Sequence, residues 1–465
     1  MKVGVITLGC DKNTVDSERY AAALVARGAE MTNDLGEAGI IVINTCGFID
    51  AAKKESIDAI IDASRYKDEG VCRAVVAVGC MVQRHKSELA AALPEVDLFL
   101  GSSEVDRLLP ELERRGLLDE PIEIHPGERI FNGELSHVRY LKVSEGCDHG
   151  CAFCAIPLMR GKHRSFALNE VVREAQLLEM QGARELNLVA QDLAHYGRDL
   201  RDGSGLASLL RQLVSQTSVP WIRMLYLYST GITPELLETV AREPRIVPYL
   251  DMPMQHAADS VLKRMRRPER RTVIRDRVAL LRGAIPEVAL RTTCIVGFPG
   301  ETEQDFESLL EFLEEVQFDR VGAFTYSPQE GTRAFDLADD VAEDVKRERL
   351  ERLTELQLAV TAERYERRIG RTVQAIVDRA ADVTGGGVGV AEARTVWQAD
   401  DIDGITRVRT DAIPGTILDV RIDGVENDYD FDATALRVVS APTTMERRAG
   451  RSLPMLATTI GSFGR

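Results

Sequence analysis

The sequence predicts an α/β protein with an N-terminal parallel-sheet domain, a central full or partial βα barrel and a small antiparallel β-barrel. Three observations lead to this prediction. Apolar strands alternate with helical patterns over the first 100 or so residues, and the alternation recurs on a larger scale from about 135 to 335. Short β-like pieces separated by Gly and Asp then follow a long charged helix. Nearly continuous Val and Ile runs that alternate with helices are typical of parallel sheets covered on both faces.

Length and composition limit the possible classes of protein. The chain has 465 residues, 44% of them hydrophobic, and a formal charge of −16. This length suggests about three domains of roughly 150 residues each. No apolar run approaches the ~18 residues of a membrane span, and the N-terminus reads as a first strand and not as a signal peptide. We therefore expect a cytoplasmic protein without membrane association, with basic partners, whose eight cysteines serve metal binding or catalysis before disulfides.

The first domain is predicted over residues 1–115. Its strand candidates are Lys2–Leu8, Ile40–Asn44, Ala74–Val78 and Val96–Leu100, and its helix candidates are Val15–Arg27, Ala51–Ser64 and Gln83–Leu93. The order of these elements predicts a parallel sheet with helices on both faces.

Three cysteines follow strands of this domain in the same way. Cys10, Cys46 and Cys80 each lie just past the carboxyl end of a strand candidate. Because open parallel sheets bind ligands at that edge, we expect the three thiols to meet there and to hold a [4Fe–4S] cluster with one open iron. The alternative is that they are small buried hydrophobic residues. Cys72 and Cys294 lack this placement and are predicted to be packing residues.

The central domain is predicted over residues 135–340, with a site at one end of a barrel. Its strand candidates are Tyr140–Val143, Glu185–Ala190, Ile222–Tyr228, Val247–Met252, Arg291–Val296 and Arg320–Tyr326. Six βα units predict a full or partial barrel with its active site at the carboxyl ends of the strands. Polar residues gather at those ends and are either ligand contacts or helix caps: Gln191, Asp192, Tyr228, Ser229, Gln255, His256, Gly297–Gly300 and Tyr326.

A second group of cysteines follows the first strand of this domain. Cys147, Cys151 and Cys154 have the spacing C-x3-C-x2-C. Three thiolates can hold three corners of a [4Fe–4S] cube and leave one iron open to a small molecule, which indicates catalysis more than electron transport. A zinc site completed by His149 remains an alternative, although no second C-x2-C is present. A redox dithiol is a further alternative, but it leaves Cys147 unexplained.

The C-terminal part is predicted to contain a connecting helix over 341–368, a β-barrel over 369–440 and a disordered tail over 441–465. The strand candidates in the barrel are Val373–Val377, Gly387–Ala391 and Thr416–Ile422. Residues 371–440 carry thirteen acidic side chains against seven arginines, a net charge of −6. Because phosphate binding depends on Lys and Arg, this barrel is predicted to attract a basic protein more than RNA. A solvated acidic surface without a partner is the alternative.

The run from Cys147 to Cys154, Cys-Asp-His-Gly-Cys-Ala-Phe-Cys, resembles the radical S-adenosylmethionine (SAM) signature. Cys294 to Thr302, Cys-Ile-Val-Gly-Phe-Pro-Gly-Glu-Thr, is similar to the glycine-containing strand end that approaches SAM in that superfamily. Together with the N-terminal cysteines and a TRAM-like C-terminal barrel, the chain resembles the radical SAM methylthiotransferase family over all but about the last 25 residues.

Within this family, the segment from Leu8 to Glu18 resembles the branch that modifies an aspartate of ribosomal protein S-twelve. That branch has Gly-Cys-Pro/Ser-Lys-Asn where this chain has Gly9-Cys-Asp11-Lys-Asn13, whereas the tRNA-modifying branch more often has Gln-Met after the cysteine. The resemblance implies insertion of a methylthio group at the β-carbon of that aspartate. Methylthiolation of a modified adenosine in tRNA and a non-catalytic iron–sulfur electron-transfer or sensor protein are the alternatives.

The resemblance also implies the cofactors and their ligands. Two [4Fe–4S] clusters, one on each cysteine trio, and two SAM molecules per turnover are expected, together with a low-potential electron donor. The expected SAM contacts are Phe153, which is implied to pack near the adenine, with Gln191, Gly297 and Gly300. The basic run from Lys263 to Arg267, with the arginines that follow it, is a candidate to bind phosphate, a ribosomal RNA segment or the carboxylate of SAM, so contact with RNA is a secondary expectation. A helix surface paired with nearby acids is the favoured alternative for this run.

Overall fold

The structure is a computed structural model that describes residues 1–118, 129–131, 133–381, 389–427 and 429–442. Residues 443–465 of the predicted tail, as well as Asp382, Gly387 and Asp428 of the predicted barrel, lie outside these ranges. The described residues form two parallel sheets, a closed five-stranded barrel and a two-stranded ribbon, which confirms the predicted α/β class. In these ranges no helix is both long enough and apolar enough to cross a bilayer.

The N-terminal sheet is fully parallel, with strand order β2-β1-β3-β4-β5. Its strands are β1 (Lys2–Thr7), β2 (Glu30–Met31), β3 (Ile40–Thr45), β4 (Ala74–Gly79) and β5 (Leu98–Gly101). Its helices are α1 (Asp11–Val25), α2 (Asp50–Glu69), α3 (Cys80–Ala92) and α4 (Leu108–Arg114). All residues of β3 and β4 are buried, because helices cover both faces of the sheet.

Helices α1 and α3 begin earlier than their apolar periodicity predicts. The predicted starts are Val15 and Gln83, whereas the helices begin at Asp11 and Cys80. Gly9 and Gly79 have φ values of 94° and 100°, in the left-handed region that favours glycine. These glycines turn the chain directly from a strand end into a helix. The first turn of α1 is therefore polar, and that of α3 begins at Cys80.

The central sheet is also fully parallel, with order β13-β12-β11-β10-β9-β6. Its strands are β6 (Val138–Lys142), β9 (Glu185–Val189), β10 (Trp221–Met224), β11 (Ile246–Asp251), β12 (Ala289–Val296) and β13 (Arg320–Thr325), and β7 (Ser144–Glu145) pairs with β8 (Arg164–Ser165) as a separate ribbon. Each strand of the sheet lies beside its predecessor, and β6 and β13 remain unpaired edges. The domain is therefore a partial barrel, one of the two forms predicted.

Helices of the central domain cover the outer face of this sheet. They are α5 (Ile156–Arg160), α6 (Leu168–Met180), α7 (Leu206–Gln216), α8 (Pro234–Arg242), α9 (Asp259–Arg264), α10 (Arg271–Ala284), α11 (Glu303–Val316) and α12 (Glu343–Glu366). Helix α12, predicted as a connector, packs on the last strand and on α11, and the Nε2 of Gln357 donates to the Phe318 carbonyl at 3.0 Å. The predicted connector is thus an integral part of this layer.

The C-terminal barrel is closed in the order β14-β15-β16-β18-β17. Its strands are β14 (Thr372–Arg379), β15 (Val390–Thr395), β16 (Thr406–Arg409), β17 (Ile417–Glu426) and β18 (Asp430–Ser440). Four neighbouring pairs are antiparallel, as predicted, whereas β16 and β18 are parallel. A ring of five strands cannot alternate direction at every step, so one parallel pair is required for closure.

A buried charge network joins this barrel to the central domain. Glu185 accepts hydrogen bonds from Arg223 at 2.7 Å and from Arg394 at 2.7 Å, and Arg394 also donates to Asp378 at 2.6 Å. Asp403 accepts from the Tyr249 hydroxyl at 2.5 Å. Acidic residues that contribute to the predicted charge of the barrel, Asp378 and Asp403, are therefore buried partners of the central domain and are not available to a macromolecule in solution.

Asp400 at this junction makes stability depend on pH. Its carboxylate accepts from the Tyr140 hydroxyl at 3.2 Å. Burial and the neighbouring acids Asp401, Asp378 and Glu185 raise the pKa of Asp400 to about 8, against the opposing charge of Arg394. Because the folded chain then keeps a proton that the unfolded chain releases above pH ~4, this carboxyl lowers stability as the pH rises from about 4 to 8.

We expect Asp400→Asn to be more stable than the parent chain by about 1–3 kcal/mol at pH 8 and equally stable at pH 4, because the amide has no proton to lose. Urea unfolding of both proteins at the two pH values measures the difference. An equal gain at pH 4 and pH 8 would contradict the assigned ionisation.

Candidate active site

The loop with Cys147, Cys151 and Cys154 begins at the carboxyl end of β6, directly after β7. Backbone hydrogen bonds hold it in a compact form: the N–H of Cys147 donates to the Gly161 carbonyl at 3.1 Å, and the N–H of Cys154 donates to the Cys151 carbonyl at 3.3 Å. Burial, with repulsion from the other thiols of the trio, raises the pKa of Cys154 to about 12 and that of Cys147 to about 11. A nearby cation would lower the pKa of these buried thiols, because it stabilises the thiolate form.

His149, the residue that could complete a zinc site, is engaged elsewhere. Its Nε2 lies 2.7 Å from Asp192 Oδ2, and its ring stacks on Tyr228 at a centroid distance of 4.0 Å. Within the described ranges, the compact group of potential metal ligands consists of His149, Asp192 and His195, without a cysteine. Arg198 lies 2.7 Å from His195 Nε2, so a cation there would meet a guanidinium. This geometry does not favour the zinc alternative.

Arg267 lies beside the same loop and belongs to the basic run for which the carboxylate of SAM is one of the expected ligands. The guanidinium is over the Tyr228 ring at 4.0 Å, is 3.9 Å from Cys151 Sγ and pairs with Glu269 at 3.2 Å. The side chain is 5% exposed, although the basic run to which it belongs was predicted to be a helix surface. Arg271 and Arg275, farther along this run, do pair with the acid Glu315 on α11, as a helix surface would.

The N-terminal cysteines lie at one edge of their sheet. Thr7 of β1 is in register with Asn44 of β3, and Thr45 is in register with Gly79 of β4, so Cys46 and Cys80 follow neighbouring strand ends. Cys10 is the N-cap of α1, and a Cβ placed on the preceding Gly9 would lie only 2.9 Å from Cys46 Sγ. Burial, with repulsion from Cys10, raises the pKa of Cys46 to about 12 and that of Cys80 to about 11.

Asn13 contacts two of the strand ends at which the N-terminal cysteines lie, and it also contacts Cys80. Its Nδ2 donates to the carbonyls of Leu8 at 2.7 Å and Thr45 at 3.3 Å, which ties the ends of β1 and β3 together. Its Oδ1 lies 3.8 Å from Cys80 Sγ and also accepts from Arg160. One buried amide therefore connects two of the three strand ends to the third cysteine.

Cys80 of the N-terminal trio lies at the interface with the central domain, close to the segment that follows Cys154. Cys80 packs in an apolar cluster with Ala155 and Met159, and Ala155 directly follows Cys154 in the chain. The Nε of Arg160 lies 3.1 Å from Cys80 Sγ. Arg160, at the end of α5, was not predicted as a site residue, because its contact with Cys80 spans 80 positions of sequence.

Asp16 of α1 connects the domains at this point. It pairs with Lys142 of β6 and accepts from Arg160 Nη1 at 2.6 Å, and both cations are nearly buried. Glu145 pairs with the same cations at 2.8 and 3.3 Å. Lys142 and Arg160 hold the pKa of Asp16 far below its usual range, against the effect of burial.

We expect Asp16→Asn to lower the free energy of unfolding by about 2–4 kcal/mol at pH 7, because two buried cations would then share a single carboxylate. Since the pKa of Asp16 is depressed, its contribution is present above pH ~4 and is lost as the pH falls, so the two proteins should converge at low pH. Chemical denaturation measures both effects. Asp62→Asn, which affects only an exposed pair with Arg65, serves as the control and should change stability by about 0.5 kcal/mol or less. A similar loss in both variants would contradict the assigned role.

The predicted SAM contacts lie at the rim of the partial barrel. Phe153 is half-buried and packs against the apolar cluster to which Phe298, of the segment Gly297–Gly300, also belongs. Gly297 and Gly300 have φ values of 71° and 75°, and a Cβ on Gly297 would lie 2.3 Å from Lys346 Cγ. The packing of α12 therefore supplies a second reason for glycine at that position.

Buried polar atoms without partners line the same part of the barrel. Gln191 Nε2 donates to Glu145 at 3.0 Å, whereas its Oε1 has no hydrogen-bond partner among the described residues. The amide of Asn187 and the hydroxyls of Tyr228 and Tyr326 are also buried without a partner in this part of the chain. Buried polar groups are rarely left unpaired, so this distribution fits a polar ligand such as SAM at the strand ends.

The matched families and relatives agree with this geometry. Residues 2–101 match a family described as "Uncharacterized protein family UPF0004", and residues 141–313 match the radical SAM superfamily. Ribosomal protein uS12 methylthiotransferase RimO of Anaeromyxobacter sp. strain Fw109-5 is 43% identical over 436 residues, which is 92% of each chain. The protein of the same name in Geobacter sulfurreducens is 43% identical over 92% of this chain and 97% of its own.

Solved structures agree at the level of the fold. The radical S-adenosylmethionine methyltransferase TsrM from Kitasatospora setae matches with a TM-score of 0.52 and 13% identity, over 70% of this chain and 76% of its own. At this identity the likeness concerns the architecture alone. The near-full-length relatives are more informative, because their identity extends through the N-terminal sheet and the partial barrel together. The chain therefore belongs to the ribosomal protein uS12 methylthiotransferase family, within the radical SAM superfamily.

Proposed function

We propose that this chain inserts a methylthio group at the β-carbon of an aspartate in ribosomal protein uS12. Cys147, Cys151 and Cys154 would hold one [4Fe–4S] cluster, and Cys10, Cys46 and Cys80 would hold a second. The observation that carries the proposal is the apolar cluster that Cys80 shares with Ala155 and Met159, because Ala155 directly follows Cys154 in the chain. Electron carriers hold each cluster with four cysteines, whereas each group here has three, and the iron left open favours a catalytic role.

The donor sets fit iron–sulfur clusters. Four of the six thiols have strongly raised pKa values because they are buried and repel one another, and a cluster would remove this penalty. Cys10 and Cys80 lie at the N-termini of α1 and α3, where the helix dipole favours a thiolate. Both trios lie at the carboxyl ends of parallel strands, where such sheets bind their ligands.

When bound, the clusters and SAM supply one-electron chemistry that can break an unactivated C–H bond and deliver sulfur, with a second SAM as methyl donor. The side chains of the protein would position SAM and exclude water from it. Phe153, Gln191, Gly297 and Gly300 would hold SAM at the rim, and Arg267 and Tyr228 would cover the Cys151 side of the loop. A low-potential electron donor must also reach the first trio.

The pairing of arginines and the exposed acids of this chain favour a basic protein over RNA as the substrate. The basic run contributes Arg271 and Arg275 to pairs with Glu315, which reduces its capacity for phosphate. Among the exposed acids of the C-terminal barrel, Glu426 pairs with Arg407, whereas Asp411 remains available to a cationic surface. RNA contact is therefore proposed as secondary.

A paired assay tests this function. The cluster-loaded, reduced enzyme is incubated with SAM and either purified uS12 or tRNA, and each substrate is analysed by mass spectrometry. We expect the methylthio mass on uS12 alone, with release of 5′-deoxyadenosine. A methylthio mass on tRNA alone would show that the family's other activity applies, and absence of 5′-deoxyadenosine would refute radical SAM catalysis.

A further inference from the structure

Lys12 is a buried cation that makes no ion pair with the described residues. Its side chain is 6% exposed, and its ammonium lies over the ring of Tyr226, 3.1 Å from the centroid. Asp11 precedes it in the chain, and Asp251 contacts the backbone of Tyr226, whose ring lies against the ammonium. Burial of an ammonium group is costly unless it is paired, so the position calls for an anionic partner that the described residues do not supply.

The two acids near Lys12 are bound elsewhere. Asp11 accepts from the Tyr226 hydroxyl at 3.3 Å. Asp251 pairs with Arg291 at 3.0 Å and accepts from the backbone N–H of Tyr226 at 3.2 Å. These contacts fix the aromatic ring beneath the ammonium. Among the described residues, the ammonium has the ring as a neighbour but no anionic partner.

Lys12 lies between the N-terminal domain and the strand ends of the central domain. It is the second residue of α1 and follows the cluster-ligand candidate Cys10 by two positions. Tyr226 follows β10 at the mouth of the partial barrel, with φ at 64°, an unusual conformation for a non-glycine residue. The ammonium is therefore held between the N-terminal trio and the strand ends of the central domain.

We propose that Lys12 binds the side-chain carboxylate of the aspartate that is modified. This inference rests on the proposed function. In aspartate the carboxylate is bonded to the carbon that receives the sulfur, so a cation that holds it also places the reacting C–H bond between the two trios. The ring of Tyr226 covers one side of the ammonium, and the remaining N–H groups can donate to a carboxylate.

The test compares holoenzyme carrying Lys12→Met or Lys12→Arg with the wild type. The binding probes are uS12 and uS12 in which the target aspartate is replaced by asparagine, with the dissociation constant read by fluorescence anisotropy. We expect the wild type to prefer the aspartate form by roughly 10- to 100-fold, the value of a charge-assisted hydrogen bond at a sheltered site. Lys12→Met should bind both forms with equal, weaker affinity, and Lys12→Arg should keep a preference.

Three controls make the outcome specific. Lys54→Met, at a side chain that is 80% exposed on α2, should keep the full preference. The iron content and cluster absorbance of Lys12→Met should equal those of the wild type, because a loss of iron would show that Lys12 supports the cluster and would overturn the assignment. If Lys12→Met fails to fold, Lys12→Gln takes its place.

A preference for aspartate that persists without the charge at position 12 would overturn the inference and leave the proposed function intact. A wild-type enzyme that binds and modifies no form of uS12 would instead overturn the proposed function and this assignment with it.

Discussion

Cys151→Ala is expected to abolish SAM cleavage. The alanine removes one of three proposed cluster ligands, and the loop offers no replacement, since His149 is engaged by Asp192 and Tyr228. Loss of an outer partner of a metal ligand typically costs roughly 10- to 100-fold, so loss of the ligand itself should exceed that range. The measurement is 5′-deoxyadenosine formed after anaerobic reduction with SAM, together with iron per chain, which should fall from about eight to about four.

The matched control is Cys294→Ala in the same domain. Cys294 is fully buried in the apolar core of the sheet, and burial raises its pKa far above the usual value, which makes it a poor ligand. This variant should keep its iron and its SAM cleavage, with a modest loss of stability. Wild-type SAM cleavage in Cys151→Ala would contradict the proposed ligation.

Cys46→Ala is expected to separate the two activities. Cys46 directly follows β3 of the N-terminal sheet, and its backbone N–H donates to the Ser56 hydroxyl oxygen at 3.0 Å. Loss of this thiol should disable the second cluster, stop methylthio transfer to uS12 and leave SAM cleavage running without coupling to product. Mass spectrometry of uS12 and quantification of 5′-deoxyadenosine from the same reaction measure both activities.

Cys72→Ala is the control for this variant, because Cys72 is buried in the same domain and donates only to the Ala74 carbonyl at 3.5 Å. It should retain both activities. Equal loss of SAM cleavage and of sulfur transfer in a folded Cys46→Ala protein would contradict separate roles for the two trios.

Much of the fold could be predicted from apolar runs. The strand predicted at Ile40–Asn44 extends by one residue to Thr45, and that at Ala74–Val78 extends to Gly79. The prediction for Ile222–Tyr228 was too long, because β10 ends at Met224. Beyond it, the backbone N–H groups of Tyr226 and Tyr228 donate to carboxylates of Asp251 and Asp192 and not to a neighbouring strand. Local apolarity does not reveal this change of partner.

The C-terminal barrel was predicted less completely. Strands β16 and β18 were not identified, because residues 406–409 are half charged and exposed side chains interrupt the apolar pattern of residues 430–440. Their pairing with each other is non-local, with Thr406 opposite Phe431. Residues 406–409 and 430–440 form strands mainly because they pair with other strands when the barrel closes, and their own composition contributes less.

The candidate cysteines could be found from their spacing and their places after strands, whereas the side chains around them could not. Arg160, Arg267 and Lys12 acquire their roles only when distant segments pack together. The spacing rules that mark cysteine ligands do not apply to cations, which reach a site by long and variable side chains. Ligation by the six thiols stays a prediction that the two cysteine variants test.

Helix α1 carries Cys10 at its beginning, Lys12 in its first turn and Asp16 one turn later, where Asp16 is held by Lys142 of the neighbouring domain. The strand end at Cys10 and the ion pairs of Asp16 therefore attach the first two turns of α1 to both domains. A movement of one domain against the other would have to separate these nearly buried ion pairs, and the cost of leaving charges buried without a partner opposes such a movement.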